Sequence, residues 1–229
     1  VVGEAVAMTG RDQILRAVRA ALHDVPADEP AAWDPAADPD PAAAYLRTTS
    51  LDGSERADLF AERCGEYRAT VTRCAADEGA IRDAVTAACT RHGARVLAVP
   101  ADLDPAWVPE GVASRVDNPT LAWADLDGCD GALTGSALAI APTGTIVLDG
   151  GAQQGRRALT LIPDLHICVV LADAIAGSVP EAVARIGAGV ADRGTPATFV
   201  SGPSATSDIE LQRVEGVHGP RRLEVIVAG

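Results

Sequence analysis

At 229 residues, 48% hydrophobic and 22% charged, the chain is long enough for one large core or two modest ones, and its composition is not that of a disordered polypeptide. A net charge of −13 sets the average surface against a phosphate backbone, and no arginine-rich run offsets it, so nucleic acid is not expected as a partner. No apolar stretch reaches the roughly 18 residues of a membrane span. The N-terminus also lacks a basic segment followed by an apolar one, and the expected location is the cytoplasm.

The only methionine, Met8, stands just before the first helix signal, so residues 1–7 read as an upstream extension. Thr9-Gly10-Arg11-Asp12 opens a helix in which Ile14, Leu15, Val18 and Leu22 recur at helical spacing. Extension and helix together occupy residues 1–25. Residues 26–42 form a linker: prolines at 26, 30, 35, 39 and 41 remove backbone donors, and the alanine and aspartate between them offer little to bury. Residues 43–229 then form the main domain.

Within it the signals alternate. A helix near 54–67 is followed by a strand near 69–74, a helix near 78–91 stopped by Gly93, and a strand from Arg95 to Val99 ended by Pro100. Ile81, Val85, Ala88 and Cys89 form the buried face of the second helix. Strand–helix–strand alternation predicts parallel pairing with right-handed crossovers. Residues 101–128 give no legible pattern.

Ala137 to Ala141 alternates large and small side chains, Pro142-Thr143-Gly144 supplies a turn, and Thr145 to Leu148 is strand-like again, which predicts a hairpin. Its alanine face would let another layer approach closely, while Leu138 and Ile140 face a core. After the loop Gly150–Arg157 and the apolar segment Leu159 to Ile162, the run His166–Leu171 is apolar on both faces, as a central strand in a covered sheet would be. Ser178 and Glu181 predict a capping box opening a helix that ends at Gly187. Ala197 to Val200 and Leu223 to Val227 complete the chain. The fold class is therefore α/β: a mostly parallel sheet flanked by helices, with an added β-hairpin.

The five cysteines, Cys64, Cys74, Cys89, Cys129 and Cys168, are widely spaced with no C-x-x-C pair, and read as buried small hydrophobes rather than metal or cluster ligands. All 19 basic residues are arginine, which excludes a Schiff-base or P-loop lysine. The hydroxyl-rich segment Ser201–Glu210 follows a strand. In open α/β sheets ligands bind beyond the carboxyl ends of strands, so this segment is either an anion-binding loop or a capped turn satisfying its own backbone. The loop Gly150–Arg157 ends in two arginines able to grip a carboxylate, or simply solvated. His166 heads a central strand and His218 lies in a glycine-flanked turn; either could act as a general acid or base, or His166 could be a satisfied core histidine. Asp208 and Glu210 share a side only if their segment is extended, and no histidine–carboxylate spacing resembles a catalytic metal site. If the chain binds a small ligand, an anion near Ser204, Thr206 and His218 is expected.

Four blocks carry a family resemblance. Thr134–Leu148 is similar to the T-G-x-x-x-A-I-A-x-T-G-T-[IL]-V-L signature of the LUD domain, and Leu161–Val170 to its L-[LI]-P-x-x-H-I-x-V-V segment. Ser201–Glu210 and Gly216–Pro220 resemble its closing S-G-P-S-x-T-x-D-I-E and G-V-H-G-P blocks. The N-terminal helix and linker also fit the lactate utilization protein C branch. The resemblance implies a fold like that of ribose-phosphate isomerases and coenzyme A transferases, and a role in oxidising L-lactate to pyruvate beside iron–sulfur partner subunits. The clusters would belong to those partners, with no cofactor in this chain.

On motif positions it nominates Thr143, Gly144, Thr145, Arg156, Ser204, Thr206 and Asp208 for ligand binding, and His166, Glu210 and His218 as catalytic candidates. Family members often carry acidic residues where this chain has Ala137 and Pro142, and an arginine where it has Ala205, so ligand contacts by those side chains are absent here. Two other classes stay open. One is a free-standing enzyme acting on a carboxylate, phosphosugar or coenzyme A ester, in which Glu210 would be the candidate transferase nucleophile; the other is an anion-binding regulatory module without turnover.

Overall fold

The computed structural model describes residues 9–21, 49–117, 121–194, 196–206, 214–216 and 218–229, and the chain divides into two units, 1–45 and 46–229. The expected extension at 1–7 and linker at 26–42 lie outside the described residues. In the first unit, helix α1 (Gly10–Ala21) is opened by Thr9 and Asp12: the Asp12 N–H donates to Thr9 Oγ1 at 3.3 Å, and the Thr9 hydroxyl donates to the Asp12 carboxylate at 2.6 Å. Ile14, Leu15 and Val18 of its apolar stripe are exposed.

The second unit begins with α2 (Gly53–Glu66), where a reciprocal box joins Asp52 and Glu55 at 2.9 and 2.8 Å. Strand β1 (Thr70–Cys74), helix α3 (Glu78–His92) and strand β2 (Val96–Pro100) follow within a residue or two of their expected bounds, with Gly93 closing α3. The stretch without a sequence signal folds into a 3-10 turn at Pro105–Trp107, strand β3 (Ala113–Asp117) and a short helix α4 (Trp123–Asp127). Strands β4 (Gly131–Thr134), β5 (Leu138–Ile140), β6 (Thr145–Leu148), β7 (Leu165–Leu171) and β8 (Ile175–Ala176) come next. The chain ends through α5 (Val179–Arg193), β9 (Thr198–Val200), the short pair β10 (Ala205–Thr206) and β11 (Val214–Glu215), and β12 (Arg222–Ala228).

Six strands form one parallel sheet in the order β1-β12-β7-β4-β2-β3. The expectation of parallel pairing holds, but β1 and β2, joined by α3, lie four places apart. Strand β7 lies between β12 and β4 and is buried from Leu165 to Val170, the position its two apolar faces predict. On one face, α3 packs Ile81, Val85 and Ala88 against Leu97, Leu133, Ile167 and Ile226. On the other, α2 contributes Phe60 and Cys64 to a core with Cys168, Val170, Val225 and Val227.

The hairpin forms as expected: β5 and β6 pair antiparallel across a 3-10 turn that ends at Gly144. It is also more than an appendage, because β8 and β9 extend it into a second sheet of order β8-β5-β6-β9. Ala139 and Ala141 face the core shared with α2 and the main sheet, while Leu138, Ile140 and Val147 pack against Ala182 and Ile186 of α5. Small side chains on the inner face let the two sheets share one core, and the outer face needs α5 to cover it.

Two expectations are corrected. Ser178 accepts the Glu181 N–H at 3.2 Å, but the Glu181 carboxylate accepts from Gly177 at 2.9 Å, one residue earlier than a capping box requires. Helix α5 also runs past Gly187 and Gly189 to Arg193 and stops at Gly194, since its apolar positions continue through Ile186 and Val190 and each interior glycine costs only about 1 kcal/mol. The segment Leu159 to Ile162 lies in and just after a 3-10 helix, Arg157–Thr160, that buries Leu159.

One buried charge has no signal in the sequence. Glu224 of β12 is 1% exposed, and its carboxylate meets Arg91 at 2.6 Å and His92 at 2.7 Å on the last turn of α3. A carboxylate withdrawn from water needs such partners. Here they tie the end of α3 to the sheet. Among the described residues, no helix is long and apolar enough to cross a membrane.

Gly144 has φ 55°, and a Cβ there would stand 2.8 Å from the Arg63 backbone. Gly144→Ala is expected to lower unfolding stability by about 2–4 kcal/mol, from left-handed strain plus overpacking. Urea denaturation measures this, and a change below about 0.5 kcal/mol, the usual surface value, would show that α2 yields easily.

Candidate functional site

Between β6 and β7 the loop 149–156 is folded on its own side chains. The Gln154 amide donates to Asp149 Oδ1 at 2.9 Å and accepts the Asp149 N–H at 2.8 Å, so the loop enters the 3-10 helix Arg157–Thr160 in one defined direction. That entry sends the two arginines to different places. Arg156 forms a two-point ion pair with Asp117 at the end of β3, both contacts at 2.8 Å, and donates to the Leu121 carbonyl at 2.9 Å. It is a cross-link between loop and sheet. Arg157 instead donates through Nη1 to the Thr160 carbonyl at 2.9 Å and hydroxyl at 2.8 Å, and no carboxylate stands within 4.0 Å of it among the described residues.

Arg157 lines a cavity of about 220 Å³ with Thr160, His166, Ser201, Ser204 and His218. His166, the second residue of β7, is 2% exposed, and its Nε2 shares a 2.8 Å hydrogen bond with Thr134 Oγ1 on β4. Burial, and then the charge of Arg157, push the imidazole down to about 4 from its ordinary 6.5. It is therefore neutral near pH 7: a hydrogen-bonding group without a stored proton. Burial also lowers the Arg157 guanidinium from its usual value.

The other wall is the segment after β9. Gly202, at φ 82°, lets the chain turn tightly against Tyr67; a Cβ there would come within 2.6 Å of that side chain. The turn presents Ser201 and Ser204. Ser204 Oγ accepts the His218 N–H at 3.1 Å, which holds His218 at the cavity wall with Gly219 and Pro220. Ser201 Oγ lies 2.8 Å from Thr145 Oγ1, which lies 2.7 Å from Thr143 Oγ1. A second cavity, of about 390 Å³, shares Arg157, Thr160 and Thr198 with the first and extends toward Asp149 and Arg156.

The structure thus brings His166, His218 and Ser204 together, with Thr145 reaching the same place through Ser201. Gly144 sits against α2, and Arg156 is engaged by Asp117. Thr206 contributes its backbone to β10, paired with Val214, while Asp208 and Glu210 lie outside the described residues. The cavity opens at the amino ends of β7 and β12, where His166 and Leu223 pair, and not beyond their carboxyl ends. Sequence reasoning offered both arginines of the loop as carboxylate grips but nominated only Arg156, and it missed Thr160 and Thr134. The pair Arg156-Arg157 was visible; which arginine has a carboxylate partner depends on Asp117, 39 residues away.

Comparison with known proteins gives a consistent result. The LUD domain family model matches residues 124–228. The chain is 49% identical over 187 residues to "Lactate utilization protein C" of Deinococcus radiodurans, covering 81% of this chain and 85% of that protein. A protein of the same name from Geobacillus kaustophilus is 32% identical over 127 residues, covering 53% of this chain and 52% of that one. Among solved structures, a DUF162 family protein from Deinococcus radiodurans superimposes with a TM-score of 0.68 at 43% identity, covering 78% of this chain and 99% of that one.

The depressed His166 sets a pH dependence. The unfolded chain takes up this proton near pH 6.5 and the folded chain only near 4, so between those values the unfolded state binds more protons and stability falls as pH falls. The loss from this group is about 3 kcal/mol between pH 6.5 and 4. In urea titrations across that range, His166→Gln should lack this share of the slope; parallel pH profiles for the two proteins would refute the assignment. Arg156→Gln leaves the buried Asp117 carboxylate without its partner, and is expected to lower stability by roughly 2–3 kcal/mol with or without small anions present. If the variant were as stable as the parent, Arg156 would be free for another role.

Proposed function

The chain belongs to the LUD domain family, and from that premise we propose that it serves in lactate utilization as the cluster-free subunit of a cytoplasmic iron–sulfur system that oxidises L-lactate to pyruvate. The observation that carries this reading is the 49% identity to a "Lactate utilization protein C" across 85% of that protein's length. The residues of the chain fit the cluster-free part of the assignment. Its cysteines are free thiols engaged with neighbouring groups: Cys64 donates to the Gly144 carbonyl, Cys168 lies beside Thr134 and Cys129 donates to the Asp125 carbonyl. Among the described residues no three side chains of the metal-ligating kinds come together. Burial pushes the Cys64 and Cys168 thiols up to about 12, the opposite of what a thiolate ligand requires.

Oxidation of lactate to pyruvate releases two electrons and two protons, one hydrogen from the carbon that bears the hydroxyl and one from the hydroxyl itself. In the proposed system the electrons leave through clusters on partner subunits held by cysteine-rich motifs. This chain supplies a folded α/β body and a cavity lined by Arg157, whose charge can attract a carboxylate.

Deleting the gene for this chain is expected to abolish growth on L-lactate while leaving growth on pyruvate intact, with restoration by the full chain. A tagged copy should co-purify with cysteine-rich proteins showing the broad visible absorbance of iron–sulfur clusters. Undiminished growth of the deletion strain on L-lactate would rule out the role, and purification without such partners would rule out the assembly.

A further inference from the structure

The cavity at the amino ends of β7 and β12 has the features of a seat for a small organic anion. We infer that it binds a monocarboxylate bearing a hydroxyl or keto oxygen on the adjacent carbon, held by Arg157 with Thr160, Ser204 and His166 around it. This deepens the lactate-utilization reading and rests on it for the choice of test anions; the geometry stands independently.

Charge comes first. Arg157 uses Nη1 on Thr160, which fixes its plane, and no carboxylate reaches the guanidinium among the described residues. The neighbouring Arg156, by contrast, is fully engaged by Asp117. A guanidinium held by hydrogen bonds to neutral groups, with Nε and Nη2 free of protein acceptors among the described residues, is preorganised to grip a carboxylate at two points. The same surroundings argue against a phosphate dianion. The described cavity wall offers one cation, and the buried imidazole beside it is neutral near pH 7.

Polar partners come second. Ser204 Oγ accepts from the His218 backbone, so its own hydroxyl hydrogen is available to donate, and Thr160 Oγ1 is held beside Arg157. The Nε2 edge of His166 is turned to Thr134. With Thr160 Oγ1 donating to the Arg157 carbonyl at 3.3 Å and His166 Nε2 shared with Thr134, Ser204 is the group left to donate to an oxygen next to the carboxylate, which plain acetate lacks. Size comes third: about 220 Å³ suits an anion of a few heavy atoms.

The test is isothermal titration of the full chain at constant ionic strength with L-lactate, pyruvate, acetate and inorganic phosphate. L-Lactate or pyruvate is expected to bind saturably with Kd on the order of 0.1–1 mM, and acetate and phosphate at least about tenfold more weakly. Arg157→Gln should weaken lactate or pyruvate binding by at least about tenfold, with Arg157→Lys falling between it and the parent. Ser204→Ala, in a half-buried turn, should erase the preference over acetate, and so decides the matter even if Arg157→Gln fails to fold.

No saturable binding of any carboxylate, phosphate binding more tightly than lactate and pyruvate, or affinities indifferent to both substitutions would each overturn the inference. These failures are distinct from failure of the proposed role. A deletion strain that cannot grow on L-lactate, together with a chain that binds no carboxylate, would leave the assembly role standing and remove only the ligand seat.

Discussion

Two sheets can share one core only if their facing side chains are small enough for the backbones to approach. In this protein that constraint is met along the inner face of the hairpin, by Ala139 and Ala141 and by Gly144 at its turn, where α2 lies directly against the backbone. From this seam the rest follows. With the hairpin pressed on the main sheet, β9 is carried along its edge, and the segment after β9 turns at Gly202 against the end of α2. That turn sets Ser201 and Ser204 opposite His166. The cavity is thus a consequence of close packing some residues away, and its walls come from parts of the chain that no local pattern connects.

Charges in the second unit are handled in two ways. Glu224 and Asp117 are buried carboxylates, and each is met by an arginine at hydrogen-bond distance, as removal from water demands. Arg157 is the contrasting case, a partly desolvated cation whose described contacts are all neutral. Other arginines, Arg95 and Arg115 included, also stand without an ion pair among the described residues, and what sets Arg157 apart is that it lines the cavity beside His166. His166 registers the same field, being held neutral by burial and by the arginine's charge.

These features bear on how work would be divided in the proposed lactate system. Cluster chemistry needs thiolates at short spacing, and this chain holds its cysteines as free thiols among apolar side chains, widely spaced along the sequence. Its hydroxyls, neutral imidazole and a guanidinium without an ion pair among the described residues suit recognition of a small anion. A subunit of this kind could hold a carboxylate near the electron carriers of its partners without itself passing electrons.

Much of the fold was legible in the sequence because it is governed by local periodicity. Strands β1, β2, β7 and β12, helices α2 and α3, and the hairpin all follow from apolar spacing, caps and turn residues that act within a few positions. The family blocks were legible for the same reason, as contiguous strings. What tertiary structure alone decided involves partners distant along the chain: the second sheet that β8 and β9 build on the hairpin, the Glu224 pairing with Arg91 and His92, and the docking of α5 on Ile140 and Val147 through Ala182 and Ile186. The site is the clearest instance. The sequence by itself supplied two adjacent arginines, several hydroxyls and two histidines. Only the fold assigned Arg156 to Asp117 and left Arg157 facing His166 and Ser204, because the partner of a charge is set by distance in space, which adjacency along the chain does not encode.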